Sequence, residues 1–169
     1  GAELIFGLPL TDAFLQEDVG SGRHDFVNDP VKTPMYQYFE KGRMEYHKER
    51  RALPEYSTLQ GIDRYLFLID FGNVGLELAA VRGYNFAPAT QLGANSATYQ
   101  WFTQTSHSLQ EPFLSFWQQH LGNYIFGSPI SEPFEETNPE TGQRRLDQYF
   151  EKGRLEYRPE FANTNAAVE

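Results

Sequence analysis

Gln37-Tyr-Phe-Glu-Lys-Gly-Arg-Met-Glu-Tyr46 recurs as Gln148-Tyr-Phe-Glu-Lys-Gly-Arg-Leu-Glu-Tyr157, with one change from Met44 to Leu155. A single active site needs one set of catalytic groups, whereas a packing unit can be used twice in one chain. The exchange of methionine for leucine conserves side-chain volume, as a packed position requires. The duplication therefore indicates a structural building block.

The repeated ten residues predict a β-hairpin. With Lys41-Gly42 as a two-residue turn, in which glycine supplies a positive φ, Phe39 pairs with Met44. Side chains alternate between the two faces of a strand, so one face is apolar and the other polar. The packing face consists of Phe39, Met44 and Tyr46 in the first copy and of Phe150, Leu155 and Tyr157 in the second.

The polar face of each hairpin carries carboxylates beside one arginine. Burial of an aromatic or aliphatic side chain contributes about 1.5–3 kcal/mol, whereas an exposed ion pair contributes at most about 1 kcal/mol. The apolar face is therefore expected to be buried and the polar face to meet solvent. A pair such as Glu40 and Glu45 could serve a glycosidase, but Arg43 and Arg154 are expected to keep their neighbouring carboxylates ionised, unlike a general acid.

A second motif precedes each hairpin, and we call it the front motif. Ile5–Phe14 matches Ile125–Phe134, an offset of 120 positions, whereas the hairpins are offset by 111, so the first copy has 120 − 111 = 9 additional residues. The additional residues fall around Asp18–Arg23, where they predict an exposed loop. Glycine and proline turn the chain in each front motif, and Thr11 and Ser131 then offer hydroxyl oxygens to free main-chain donors.

A short amphipathic helix is predicted over Ser108–Gly122, with Gly122 as its C-terminal stop. Its start is open between a Ser108 cap with Glu111 and a first turn begun by Pro112. Apolar side chains recur at helical spacing, which predicts a packed face. The residues of that face are Phe113, Phe116 and Trp117, followed by His120 as a helix-end cation or packed ring.

Composition excludes several classes of function. The net charge of −9 and the lack of clustered lysine and arginine argue against nucleic acid. The apolar run Tyr65–Ile69 is far shorter than the ~20 residues of a membrane-spanning helix, so no membrane insertion is expected. The chain has no cysteine, which excludes thiolate chemistry. Nucleophile and base types concentrate only at Thr105–Ser108, interpreted as a helix cap, so no catalytic residue, metal or cofactor is predicted.

The combination of helix, front motif, variable loop and hairpin resembles the LGFP-type repeat of secreted bacterial cell-envelope proteins. The resemblance covers residues 1–47 and 105–158, although the motif core is Phe-Gly-Leu-Pro in the first copy and Phe-Gly-Ser-Pro in the second. It implies non-catalytic modules used in cell-wall association. The matching residues are Gly7, Pro9, Thr11, Asp12, Gln37, Phe39, Glu40, Gly42, Met44 and Tyr46, and Gly127, Pro129, Ser131, Glu132, Gln148, Phe150, Glu151, Gly153, Leu155 and Tyr157.

The expected fold class is α+β, with two copies of a short helix plus β-hairpin repeat joined by a packed connector that contains a helix. The expected segments are the first repeat at 1–47, the connector at 48–104, the second repeat at 105–158 and a C-terminal tail at 159–169. Within the connector, Tyr65–Phe71 is strand or helix, and a short helix ends at Gly83. A loop over 87–99 then leads to a strand at Tyr99–Phe102.

The predicted function is an exported, non-catalytic structural protein of the cell surface or envelope that self-associates, as a homo-oligomer or a head-to-tail filament. The first copy lacks a leading helix, which either the connector helix Leu76–Val81 or another molecule would replace. Gly1 in place of methionine fits removal of a leader, and the expected location is extracellular or the cell envelope. The alternative is a module that binds cell-wall polysaccharide by stacking sugars on Tyr38, Tyr149, Tyr99 or Trp101.

Overall fold

The computed structural model describes residues 6–15, 35–139, 141–162, 164 and 166–169. Over these residues it is a mixed α+β structure with five α-helices and three small antiparallel sheets, which confirms the predicted class. The chain forms two compact units, Gly1–Gly72 and Asn73–Glu169, so their boundary falls inside the predicted connector. The predicted loop at Asp18–Arg23 lies outside the described residues.

The first unit contains a four-stranded antiparallel sheet whose strands lie side by side in chain order. The run Tyr65–Phe71 contains both predicted structures. Its first residues end a helix, and its last three form a strand that pairs with Gly42–Tyr46. Pro54 occupies the first turn of a separate short helix, Pro54–Thr58, where its missing N–H needs no partner. The elements are β1 (Phe14–Leu15), β2 (Met35–Phe39), β3 (Gly42–Tyr46), a 3-10 turn (Lys48–Ala52), α1 (Pro54–Thr58), α2 (Gly61–Leu66) and β4 (Ile69–Phe71).

The second unit contains a two-stranded sheet and a three-stranded sheet, and the strands of each lie side by side in chain order. The predicted helix before Gly83 and the predicted strand Tyr99–Phe102 are both confirmed. The elements are α3 (Val74–Val81), β5 (Tyr99–Phe102), β6 (His107–Gln110), α4 (Phe113–Gln119), α5 (Gly122–Ile125), β7 (Phe134–Thr137), β8 (Arg144–Phe150), β9 (Gly153–Tyr157) and a 3-10 turn (Pro159–Phe161).

Both hairpins form, but the predicted turn and register are wrong. Phe39 pairs with Gly42, and Met44 pairs with Gln37 instead of Phe39, so Glu40 and Lys41 make the turn. The second hairpin has the same register, with Phe150 opposite Gly153. Because the pairing shifts by two residues in total, every side chain stays on its predicted face.

The front motif fixes this register by binding the turn. Lys41 N donates to Phe6 O at 2.9 Å, and Glu40 N donates to Leu8 O at 3.0 Å. Gly42 does not adopt a positive φ. A Cβ at Gly42 would lie 3.2 Å from the Phe6 ring, so the glycine here makes room for an aromatic ring instead of bending the chain.

Of the two starts predicted for the helix in Ser108–Gly122, the one at Pro112 is nearly right, whereas the Ser108 cap and the stop at Gly122 are wrong. Ser108 lies in β6, and α4 begins only after Pro112, which occupies its N-cap. Leu121, with φ of +53°, makes the reversal assigned to Gly122, and Gly122 opens α5. A Cβ at Gly122 would lie 2.1 Å from Trp117, so this glycine is needed for close packing.

The predicted packing residues contribute to the interior of their units. Among these residues, those of the second unit are the more deeply buried. The indole N–H of Trp117 also donates to Gly127 O at 2.9 Å. The ring of His120 stacks on Phe116 with centroids 4.1 Å apart, which agrees with the packed ring, one of its two predicted roles. Phe113, Phe116, Trp117, Phe150 and Leu155 are buried, whereas Phe39, Met44, Tyr46 and Tyr157 are half-buried.

Helix α3 packs on β8 and β9. Gly75 allows this approach, because a Cβ there would lie 1.9 Å from the main-chain oxygen of Phe150. Leu76 N also donates to Glu151 O at 3.2 Å. The connector helix therefore covers the second hairpin. None of the helices in the described part of the chain is long and apolar enough to span a membrane.

Candidate functional site

The front motif of the second unit clasps its hairpin through side-chain hydrogen bonds. Ser128 N donates to Glu151 Oε2 at 2.8 Å, and Tyr149 N donates to Ser131 Oγ at 3.0 Å. Gly127 has a φ of +72°, which aims the following N–H at the carboxylate. We call this set of contacts the clasp. The predicted role of the Ser131 hydroxyl as an acceptor for a main-chain donor is confirmed.

The first unit has the same clasp. Leu8 N donates to Glu40 Oε2 at 2.9 Å, and Tyr38 N donates to Thr11 Oγ1 at 3.1 Å. Gly7 has a φ of +70°. Each of these residues is the sequence counterpart of its equivalent in the second clasp, so equivalent positions make the same bonds twice.

The correspondence continues at the far edge of each sheet. In the first unit, His47 N donates to Leu68 O at 2.7 Å, where β4 pairs with β3. In the second unit, Arg158 N donates to Ala167 O at 2.8 Å, and Val168 bridges to β9. The C-terminal residues 166–169 thus occupy on β9 the position that β4 occupies on β3, a correspondence that the sequence analysis did not detect.

A buried polar cluster lies on the second sheet, on the face predicted to meet solvent. Glu136 is at its centre and accepts from Tyr84 Oη at 2.7 Å and from Tyr149 Oη at 3.1 Å. Arg82 and Arg154 place guanidinium nitrogens 2.6 and 3.1 Å from the same carboxylate. The expectation of a solvated polar face is therefore wrong for the second unit, because Arg82 and Tyr84 cover it.

Asp147 shares this cluster, and its carboxyl group keeps its proton to a higher pH than an ordinary aspartate does. Burial, together with a hydrogen bond to Glu136, raises the pKa of Asp147 to about 7. Although burial opposes it, hydrogen bonds from Tyr84 and Asp147 lower the pKa of Glu136 to about 2. Arg154 Nη1 lies 2.5 Å from Asp147 Oδ2, but its charge does not outweigh the loss of solvation. Between about pH 2 and pH 7 the two carboxyl groups therefore hold one proton, on Asp147.

The carboxyl groups of the cluster are closed to substrates. Asp147 is 1% exposed and Glu136 is 6% exposed, and the acceptors of Glu136 are already occupied by the donors described above. Burial also raises the pKa of the Tyr149 hydroxyl. A general acid must reach its substrate, so this arrangement acts as a polar link between the segment after α3 and the sheet.

Sequence reasoning missed Glu136, Arg82 and Tyr84. A signal for Glu136 was present, because Phe134 and Glu136 are two residues apart on one strand and share a face. Phe134 stacks on Tyr149 with centroids 5.9 Å apart, which places that face on the tyrosine. No comparable local pattern pointed to Arg82 or Tyr84, since they meet the sheet only through tertiary packing.

The equivalent face of the first sheet is aromatic and half-exposed. Tyr36 stands where the second unit has Asp147, and the guanidinium of Arg43 lies 5.9 Å from its ring and 5.8 Å from that of Tyr38. Phe14 stacks on Tyr38 at 6.0 Å, and Arg43 pairs with Glu45 at 3.0 Å. The two hairpins are thus nearly identical in sequence, but only the second has its polar face covered by Arg82 and Tyr84.

The two front motifs differ most in exposure. Leu8 is 55% exposed and Leu10 is 65% exposed, whereas Ser128, the counterpart of Leu8, is 4% exposed. Two residues of the β5-β6 hairpin, Gln104 and Ser108, cover the second front motif. Gln104 Nε2 donates to Ser128 Oγ at 2.8 Å, and Ser108 N donates to Glu132 Oε1 at 2.7 Å.

The candidate sugar-stacking residues separate into two groups. Tyr149 is fully buried, so it cannot present its ring to a polysaccharide, and this assignment is wrong. Tyr38, Tyr99 and Trp101 are half-buried. Tyr99 and Trp101 share one face of β5, opposite the buried Phe102.

The segment Thr105–Ser108 is not a helix cap. It forms the turn of the β5-β6 hairpin and the start of β6, because Phe102 pairs with His107. Within the described ranges, no group of three or more histidine, aspartate and glutamate side chains is placed to hold a metal ion. Ser108, at the end of this segment, instead hydrogen-bonds to Glu132 of the second front motif.

Comparison of the chain with protein-family models, with curated proteins and with solved structures finds no match. The two clasps and the surfaces around them are therefore the features from which a function can be inferred.

Proposed function

We propose that this chain is a non-catalytic structural protein that self-associates through two copies of one clasped sheet unit. One observation carries the proposal. The two clasps have the same bonds, yet the front motif is covered in the second unit and exposed in the first. A surface that the chain covers in one copy and leaves open in the other is a candidate site for another molecule.

The residue exchange at this surface supports a protein contact. The covered position is Ser128, which is hydrogen-bonded to Gln104, whereas the open position is Leu8. Contact with water alone would favour the polar residue at the open position. Leu8 and Leu10 together form an exposed apolar strip, and burial of each contributes up to about 1.5–3 kcal/mol.

The state of the polar groups supports a non-catalytic role. The carboxyl group of Asp147 has a pKa raised to about 7, and it is buried beside Glu136 and Arg154. An accessible acid or base would need a path to solvent, whereas these groups link elements of the second unit. The resemblance to LGFP-type repeats supports a place in the cell envelope or on the cell surface of a bacterium.

Sedimentation velocity over a wide concentration range tests the proposal. We expect reversible growth of the sedimentation coefficient with concentration, and negative-stain microscopy should then show whether the assemblies are closed oligomers or filaments. A single monomeric species at every concentration would refute self-association.

One observation favours the alternative function of polysaccharide binding. Tyr99 and Trp101 stand on the same face of β5 and remain half-exposed, as a stacking platform for sugars would. Retention of the protein on purified cell wall, reduced by Trp101→Ala but not by Tyr65→Ala, would support it. Tyr65 is a suitable control because it is an exposed aromatic residue outside this strand.

A further inference from the structure

A groove of about 380 Å³ runs beside α3 in the second unit. Leu76, Ala79 and Ala80 of the helix form one wall. The remaining lining comes from Tyr84, Asn85 and Phe86, from Thr105 and His107, and from Ile130. Leu76 and Ala80 are exposed, so the apolar groove is open to another molecule.

Two residues that line the groove each carry a polar atom that lacks a hydrogen-bond partner among the described residues. They are Thr105 Oγ1 and His107 Nδ1, both buried. His107 is 4% exposed, and its Nδ1 lies 3.4 Å from Glu132 Oε1, longer than the roughly 2.7–3.2 Å of an N–H···O bond. Buried polar groups are normally satisfied, so the groove suits an occupant with apolar side chains and main-chain polar groups.

We propose that this groove receives Leu8-Pro9-Leu10 of a second copy of the chain. The inference rests on the proposed self-association and names its two contact surfaces. Leu8 and Leu10 are the exposed leucines of the front motif. The groove supplies apolar walls for these side chains and a hydroxyl for the main chain between them.

The conformation of the segment fits this role. A residue before proline favours extended backbone, and Pro9 bridges to Phe39 in antiparallel fashion. Side chains two residues apart on an extended segment lie on one side, so Leu8 and Leu10 can enter the groove together. This arrangement presents a short apolar ridge without the flexibility of a free peptide.

The main chain of the segment also fits the polar groups of the groove. Leu10 N donates to Tyr38 O, and Leu8 O accepts from Glu40 N. These two bonds face β2, so the carbonyl of Pro9 points away from the sheet. Proline has no N–H, and the outward edge therefore offers an acceptor that the Thr105 hydroxyl can donate to.

The contact joins two different surfaces. The groove belongs to the second unit and the leucine segment to the first, so the interface is heterologous. A copy that gives its leucines to one neighbour still has an open groove for the next. Growth by head-to-tail addition follows, in the form of a ring or a filament.

Disulfide trapping tests the contact directly, since the chain has no cysteine of its own. Leu8→Cys and Ala80→Cys proteins are mixed and oxidised, and bonding requires the two Cα atoms to approach within about 4.4–6.8 Å. We expect several-fold more mixed disulfide than from Leu92→Cys with Ala80→Cys, where the exposed Leu92 is the control. A Leu8→Cys homodimer as the main product would overturn the proposal in favour of a symmetric contact.

A groove-blocking variant gives a second readout that leaves the leucines intact. Ala80→Arg should abolish concentration-dependent sedimentation, whereas the neighbouring exposed Val81→Arg should not. If the wild type associates and Ala80→Arg associates equally well, the groove is not the contact although the proposed function stands. If the wild type itself does not associate, the proposed function fails as well.

Discussion

Glu151 folds over Gly127 so closely that a Cβ on this glycine would lie 2.5 Å from Oε2 of the glutamate. The carboxylate can therefore reach the next main-chain N–H only if this position has no side chain. The other clasp has the same relation, with 2.4 Å between a Cβ at Gly7 and Glu40 Oε2. The clasp needs glycine for space as well as for its left-handed backbone.

Gly127→Ala should destabilise the protein more than Gly142→Ala. Both glycines have a φ near +70°, but nothing lies within 4 Å of a Cβ at Gly142. The left-handed backbone alone costs roughly 1–2 kcal/mol, and the contact with Glu151 adds to it at Gly127. Chemical unfolding of both variants measures the difference, and equal losses would show that the clasp tolerates a methyl group.

Arg154→Met should destabilise the protein strongly. Arg154 contacts Asp147 and Glu136 inside the unit, and removal of one partner from a buried ionic cluster costs about 3–5 kcal/mol. Arg144→Met is the matched control, because its ion pair with Glu135 is exposed on both sides and contributes at most about 1 kcal/mol. A loss from Arg154→Met as small as that of the control would contradict the account of this cluster.

Stability should fall as the pH rises from about 4 to about 7. The pKa of Asp147 is raised from 3.8 to about 7 in the folded protein, so in this interval the folded state holds a proton that the unfolded state has released. The unfolding free energy from this group then decreases by up to about 1.4 kcal/mol per pH unit. Denaturant unfolding across this interval measures the slope.

Asp147→Asn should flatten that slope, since an amide keeps a donor toward Glu136 without titrating. Glu136 acts in the opposite direction, because its pKa is lowered to about 2. Its contribution is present above its usual pKa and is lost as the pH falls toward 2. A slope that is unchanged in Asp147→Asn would assign the pH dependence to another group.

Gly75→Ala should destabilise the protein although it replaces glycine in a helix. Helix propensity alone predicts a gain of up to about 1 kcal/mol. A Cβ at Gly75 would lie 1.9 Å from Phe150 O and 2.6 Å from Gly153 O, and main-chain atoms in a sheet cannot move aside easily. A raised melting temperature would show that α3 does not pack on this hairpin.

The face sorting of the hairpins could be predicted from sequence, because alternation depends only on the strand itself. The register could not, since Phe6 and Leu8 bind the turn from a distant segment. Local glycine rules also failed at Gly42, where the glycine makes room for Phe6. The residues next to a glycine do not show whether it is needed for a turn or for close contact with another segment.

The buried polar cluster could not be predicted from the hairpin sequence either, because distant residues complete it. The two hairpins are nearly identical in sequence, yet Tyr149 is buried and Tyr38 is half-exposed. Burial depends on Arg82 and Tyr84, which cover the second sheet from another part of the chain. The chemical state of Asp147 follows from that cover and not from its neighbours in sequence.

The most direct test of the central claim is sedimentation velocity of the double variant Leu8→Ser/Leu10→Ser. Both side chains are exposed, so the fold should persist, as a thermal unfolding curve can verify. The account predicts that the wild type and the exposed control Leu92→Ser associate with increasing concentration while the double variant stays monomeric. Association of the folded double variant at wild-type concentrations would contradict it.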